Sequence, residues 1–226
     1  MKFFNSGIKA KTAFIGVAAA IAVMAVVLIC SLSSCKTKLN FSATFYYVCY
    51  DSPTDAHSAS SMSSVVQSYG GAGYVIHSGN KYYVTVSCYY SDGDADKVAA
   101  QLKHKGLGCR TVKVTADNFR LGGSARGKRD LYEGNLTTLL SLSKMCYELS
   151  NSLDNGCQQT AAKAVLSDVK DGLNALSRAN KNNCFSREIE GLIAEGGDVS
   201  HGYVLSRDTR RLQIALTDSI ANINIY

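Results

Sequence analysis

Residues 41–116 repeat one pattern twice, and this repeat constrains the fold more than any other feature of the sequence. Each copy has a long strand-like run, a polar turn, an amphipathic helix pattern, a glycine and a short strand; the long runs read FSATFYYVCY and KYYVTVSCYY. Aromatic and β-branched residues favour strands, and apolar residues three and four positions apart favour helices. The predicted order is therefore β-α-β-β-α-β. Two helices on one face of a four-stranded antiparallel sheet would leave the other face for solvent or a ligand.

Residues 82–114 resemble the second half of a SPOR (sporulation-related repeat) domain. In that family an aromatic-x-Val-x-Val-Gly-x-Phe strand precedes a polar turn, an Ala- and Leu-rich helix, a Lys/Arg-x-Gly motif and a Val-rich strand. The matching positions are Tyr82, Val84, Val86, Ser87, Tyr89, Ala95, Ala99, Leu102, Gly106 and Val112; the first copy matches more loosely through Tyr46, Tyr47, Cys49 and Tyr50. This chain departs from the family at the strand glycine, which is replaced by Tyr50 in one copy and Ser87 in the other.

The resemblance implies that the exposed face of the sheet binds peptidoglycan glycan strands from which the stem peptides have been removed. Alternation along a strand predicts that Tyr47, Cys49, Val84 and Val86 point at the helices. Tyrosine suits a sugar ligand, because its ring offers an apolar face and its hydroxyl a polar edge. The predicted glycan-binding residues are Tyr46, Val48, Tyr50, Lys81, Tyr83 and Thr85, with Ser87 also facing outward and Arg110 flanking the surface.

Upstream of the repeat, residues 13–32 form a run of 20 residues without a charge, AFIGVAAAIAVMAVVLICSL. At 1.5 Å per residue this run is about 30 Å long, the thickness of a bilayer core. Three interpretations remain open: a retained transmembrane helix after a cytoplasmic tail (1–12), a lipoprotein signal with Cys35 as the lipidated residue, and a cleaved secretory signal. The first predicts a single-pass membrane protein, and all three place the chain after a linker (33–40) outside the cytoplasmic membrane.

The net charge of +6 is concentrated beside this run, since five lysines and no acidic residue lie within residues 1–42. The repeat region is nearly neutral and lacks the Lys/Arg-Gly-aromatic strand of RNA-recognition modules, so no nucleic-acid partner is predicted. Residues 122–129, GGSARGKR, resemble a phosphate-binding loop, but Arg129 stands where Ser or Thr would hold Mg²⁺. We therefore predict a basic linker over residues 117–134.

Residues 135–226 have a helical pattern throughout. Heptad-like spacing of Leu139, Leu142, Cys146, Leu149 and Leu153, followed by further stripes, predicts a small antiparallel helical bundle. Its predicted role is structural, in self-association, or in docking to another envelope protein. The eight cysteines have no metal-ligand spacing and the four histidines lie in no catalytic motif, so no metal, cofactor or enzymatic activity is predicted. The disulfide state stays open, because several cysteine positions are typical of buried apolar residues.

The predicted fold class is therefore α+β, with an N-terminal transmembrane helix, a SPOR-like (ferredoxin-like) domain over 41–116 and a helical domain over 135–226. The predicted function is that of a membrane-anchored bacterial envelope protein that binds denuded glycan strands in cell division or sporulation. The alternative is an envelope scaffold or oligomerisation protein that acts through its helices without binding glycan.

Overall fold

The computed structural model describes residues 37–50, 55–78, 80–121, 127–181, 183, 185–200 and 203–223. The strands are β1 (Thr37–Lys38), β2 (Ala43–Tyr50), β3 (Tyr74–Ser78), β4 (Lys81–Tyr89), β5 (Cys109–Ala116) and β6 (Arg120–Leu121). The helices are α1 (Ala56–Ser68), α2 (Asp92–His104), α3 (Arg129–Asp154), α4 (Gln159–Ala179), α5 (Phe185–Ser200) and α6 (Ser206–Asn222).

The main sheet has the strand order β3-β4-β2-β5, and all neighbouring strands are antiparallel. This confirms the predicted β-α-β-β-α-β order. Strands β2 and β4 are central, while β3 and β5 form the two edges. A separate two-residue ladder between β1 and β6 ties the start of the described chain to the segment that follows β5.

The membrane part of the predicted fold class needs correction. Residues 13–32 and Cys35, on which the transmembrane and lipoprotein interpretations depend, lie outside the described residues. None of the helices that the described residues form is long and apolar enough to cross a bilayer. The predicted single-pass membrane helix is therefore not part of the fold that the structure supports: the described chain is α+β with a four-stranded antiparallel sheet and six helices.

Helices α1 and α2 cover one face of the main sheet, as predicted. Val48 of β2 packs with Ala95 and Ala99 of α2, and Val84 of β4 packs with Val66 of α1. The small alanine side chains let α2 approach the strands closely, which suits a helix that crosses a central strand.

The opposite face of the sheet is covered as well, by the helices that follow β6. Phe45, Tyr47 and Cys49 of β2 are at most 1% exposed and share one hydrophobic core with α3, α4, α5 and α6. The Gln213 side-chain amide of α6 donates a hydrogen bond to the Cys88 carbonyl at 3.0 Å. The expectation that this face is left for solvent or a ligand is therefore wrong. A strand buried on both sides does not alternate between polar and apolar residues. The sequence of β2, ATFYYVCY, shows no such alternation.

The predicted helical region is helical in the structure, although α3 already begins at Arg129. Its stripe residues Leu139 and Cys146 are buried. These helices join the sheet instead of forming a bundle apart from it: the Tyr90 hydroxyl lies 2.8 Å from the Ser143 hydroxyl. The Tyr90 ring also meets the Tyr147 ring edge-on, with the centroids 5.6 Å apart.

Three of the cysteines behave as buried apolar residues. Cys49, Cys88 and Cys146 are free thiols with at most 1% of their surface exposed. Burial raises the pKa of each thiol, which suppresses the reactive thiolate near neutral pH. The prediction that several cysteines fill small apolar positions is confirmed for these three.

Candidate functional site

The glycan-binding residues predicted on β2 lie on the wrong side of the sheet. Tyr46 and Val48 belong to the core beneath α2, and Tyr50 packs in the core beneath α1. Val48 is completely buried. The predicted orientation of β2 is therefore reversed: Tyr47 and Cys49, expected to face α1 and α2, face the helices of the second half instead.

The predicted orientation of the β4 side chains is correct as far as a β-bulge at Val86. Val84 and Val86 face α1 and α2 as predicted. The pairing shifts so that Val48 lies opposite Ser87 and Cys49 opposite Thr85. This inserts one extra residue into β4 and turns Ser87 towards the same side as Val48, contrary to prediction.

Only part of the predicted surface stays accessible on the far side of the sheet. Thr85 is completely buried and its hydroxyl donates to the Tyr74 carbonyl at 2.7 Å. Lys81 is exposed and Tyr83 is half-buried. The Arg110 guanidinium lies 5.1 Å from the centroid of the Tyr83 ring. The six predicted residues thus do not form one surface.

The structure instead shows an open groove along the free edge of the main sheet, which we call the edge groove. Its volume is about 410 Å³. Val75 and Tyr82 belong to the core on the α1 side of the sheet, whereas Tyr74 packs on the opposite side, so the groove wraps round the edge strand β3. The lining residues are Ala56, Ser60, Ser63, Gly73, Tyr74, Val75, Tyr82 and Arg211.

A tight turn between α1 and β3 shapes the floor of the groove. Gly73 has a φ of +61°, and a Cβ at this position would lie 2.6 Å from the Ser63 carbonyl oxygen. Only glycine adopts this conformation without strain and tolerates so close an approach. The Ser63 hydroxyl donates a hydrogen bond to the Gly73 carbonyl, which holds the helix against the start of the strand.

Two tyrosines and one arginine give the groove its chemical character. The Arg211 guanidinium lies 5.7 Å from the centroid of the Tyr74 ring and forms an ion pair through Nε with Glu195. On the other side of β3, the Tyr82 ring lies against the His77 ring with the centroids 4.8 Å apart. Aromatic faces beside hydroxyls and a cation can bind sugar rings and anionic groups.

A half-buried carboxyl group, that of Asp218, anchors Tyr74 from α6. The Tyr74 hydroxyl lies 3.4 Å from Asp218 Oδ2, and the Asn222 side-chain amide donates to Asp218 Oδ1 at 2.7 Å. Burial raises the pKa of Asp218 to about 6, and it also raises the pKa of Tyr74. The contact therefore fixes the tyrosine ring, but at the expense of a carboxylate that is poorly solvated at neutral pH.

Asp218→Asn is expected to remove a pH dependence of stability. The folded-state pKa of about 6 lies above the value of about 3.9 for an unfolded chain, so between these values the folded state binds more protons. The free energy of unfolding of the natural protein should therefore fall as the pH rises from about 4 to about 6. The amide keeps the shape of the side chain and does not titrate. Urea unfolding at pH 4.5 and pH 7.5 measures the difference, with the exposed Asp171→Asn as control. The same pH dependence in Asp218→Asn and the natural protein would contradict the expectation.

Sequence reasoning did not find the edge groove. Tyr82 lies in the strand on which the prediction concentrated, but on the face assigned to the helices. No pattern in the sequence connects Tyr74 with another residue of the groove, and Arg211 comes from the last helix. Among the described residues, no group of three or more His, Cys, Asp or Glu side chains could hold a metal ion.

Comparison with known proteins gives one structural likeness. No family model matches the chain, and no curated protein matches it either. The chain is similar to the solution structure of the peptidoglycan binding domain of the B. subtilis cell wall lytic enzyme CwlC, with 23% sequence identity and a TM-score of 0.28. The likeness covers 34% of this chain and 98% of that domain.

Proposed function

We propose that this protein binds the glycan strands of bacterial peptidoglycan and that the edge groove is the binding site. The observation that carries the proposal is the position of the groove: two tyrosine rings and a guanidinium line the edge of a β-α-β-β-α-β sheet whose sequence resembles the SPOR family. The proposed ligand is a glycan strand without stem peptides, and the proposed setting is cell division or sporulation, as the resemblance implies.

The groove suits an extended polysaccharide. It is open to solvent at the edge strand instead of closed into a pit, so part of a long chain can lie in it. The rings of Tyr74 and Tyr82 lie on opposite sides of β3 and can each support one sugar ring through its C–H surface. The hydroxyls of Ser60 and Ser63, and the Tyr82 hydroxyl, supply partners for the polar edges of the sugars.

The covered face of the sheet favours a second candidate, a scaffold that acts through its helices without binding glycan. Thr85 is completely buried, and the β2 residues Phe45, Tyr47 and Cys49, which face away from α1 and α2, are buried in the core of the later helices. A ligand cannot reach these residues while the helices are in place. Variants at the two accessible places, the edge groove and the pair Lys81 and Tyr83, therefore distinguish the two candidate functions.

Tyr82→Ala is expected to reduce binding to amidase-treated sacculi roughly tenfold, because one stacking face is lost. Co-sedimentation of the full chain with treated and untreated sacculi measures the effect. Tyr203→Ala is the matched control, since Tyr203 is 71% exposed and lies outside the groove. Tyr82→Phe keeps the ring and should retain most of the binding.

Three further results would decide between the candidates. Equal retention of the full chain on treated and untreated sacculi would contradict recognition of denuded strands. Unchanged binding of Tyr82→Ala together with loss in Tyr83→Ala would move the site from the groove to the sheet-face pair. No binding to sacculi of either kind would favour the scaffold.

A further inference from the structure

One guanidinium lines the edge groove at a fixed position. Among the described residues that line it, Arg211 is the charged one. Its side chain is 35% exposed, so a ligand in the groove can reach it. The Tyr74 ring beneath the guanidinium and the ion pair with Glu195 hold it in place.

We infer that the groove recognises the free lactyl carboxylate of muramic acid, with Arg211 as the residue that determines this specificity. The inference rests on the proposed function and names the chemical group that the groove recognises. Hydrolysis of the amide between the lactyl group and the stem peptide leaves one carboxylate on every muramic acid. A denuded strand is therefore an anionic polymer with a charge on every second sugar, whereas the intact strand has a neutral amide at that point.

Arginine fits this group better than any other cation. Its planar guanidinium presents five N–H donors in a fork that matches a carboxylate. The contact with Glu195 is made at Nε, and the two terminal amino groups of a guanidinium carry four of the five donors. Glu195 thus orients the group, and the glycan carboxylate would approach the terminal amino groups from the groove.

The proposed specificity can be tested with two soluble probes that differ at the lactyl group, which is charged in one and neutral in the other. One is a set of denuded glycan fragments released by an amidase and a muramidase. The other is the same set after the lactyl carboxylates have been converted to methylamides. Isothermal titration of the full chain should show about tenfold weaker binding of the amidated probe, the size of one charge-assisted contact.

Arg211→Gln should weaken binding of the carboxylate probe about tenfold and leave binding of the amidated probe unchanged. Arg207→Gln is the matched control, since Arg207 lies on the same helix in an exposed pair with Asp208. This variant should bind both probes like the natural protein. Arg211→Lys keeps the charge but loses the fork, and should fall between the natural protein and Arg211→Gln.

The failure of this inference is distinct from the failure of the proposed function. If the natural protein binds both probes equally, or if Arg211→Gln weakens the binding of both probes to the same extent, Arg211 does not recognise the carboxylate. Glycan binding itself would not be contradicted by either result. If the natural protein binds neither probe, the proposed function itself fails. Unchanged circular dichroism of Arg211→Gln excludes unfolding as the cause of a loss.

Discussion

A chain that ends after Leu121 is expected not to fold into a stable domain, although it contains the whole β-α-β-β-α-β unit. Truncation there removes the helices that cover one face of the main sheet. The side chains it would uncover include Phe45, Tyr47, Cys49, Ile76 and Cys88, each at most 2% exposed in the complete protein. Full burial of a large apolar side chain contributes about 1.5–3 kcal/mol, so the loss is on the order of 10 kcal/mol. That is comparable to the whole stability of a typical domain.

The test compares a fragment of residues 37–121 with one of residues 37–223. The long fragment should give a dispersed amide NMR spectrum and unfold in a single transition that is the same by circular dichroism and tyrosine fluorescence. The short fragment should give a collapsed spectrum and bind a hydrophobic dye. A dispersed spectrum and a cooperative transition in the short fragment would show that the two halves are independent and that the shared core contributes little.

The order of strands and helices was predictable, because it depends on local patterns. Periodic alanines and leucines with Gly106 mark α2, and the tyrosine- and valine-rich runs mark β2 and β4. Each of these signals acts within about ten residues along the chain. The predicted β-α-β-β-α-β order therefore matches the structure.

Which side chains of each strand face α1 and α2 was not predictable in the same way. Tyr46 and Tyr47 are equally suited to a buried position, so alternation cannot show which of them faces α1 and α2. The answer depends on α6, whose Gln213 and Thr217 pack against Cys88 from the far end of the chain. The bulge at Val86 adds a second error, because one extra residue reverses the side assigned to Ser87.

The candidate site was hidden for a related reason. The edge groove combines Ser63, Tyr82 and Arg211, which are brought together by the packing of α1 and α6 on either side of β3. No spacing in the sequence connects them. A prediction that looks for a ligand on the free face of a sheet misses a site at its edge, once a later segment of the chain occupies that face.

A buried network of asparagines holds the helical half together. Asn180, completely buried at the end of α4, accepts hydrogen bonds at Oδ1 from the side-chain amides of Asn135 (2.7 Å) and Asn183 (2.6 Å). Its own amide donates to the Leu176 carbonyl at 2.8 Å. Asn183 in turn accepts the Phe185 N–H at 2.9 Å. One side chain thus links α3, the end of α4 and the start of α5.

Asn180→Ala is expected to lower the free energy of unfolding by about 3 kcal/mol, because it leaves the buried amide of Asn135 without its acceptor and also removes the contact to Asn183. Denaturant unfolding measures the change. Asn155→Ala is the matched control: Asn155 also follows a long helix and donates to a carbonyl four residues earlier, but it is exposed and should cost less than about 1 kcal/mol. The double variant Asn135→Ala/Asn180→Ala should cost less than the sum of the single variants, since the orphaned amide is gone. Equal costs for Asn180→Ala and Asn155→Ala would mean that water satisfies the network and that apolar packing alone joins these helices.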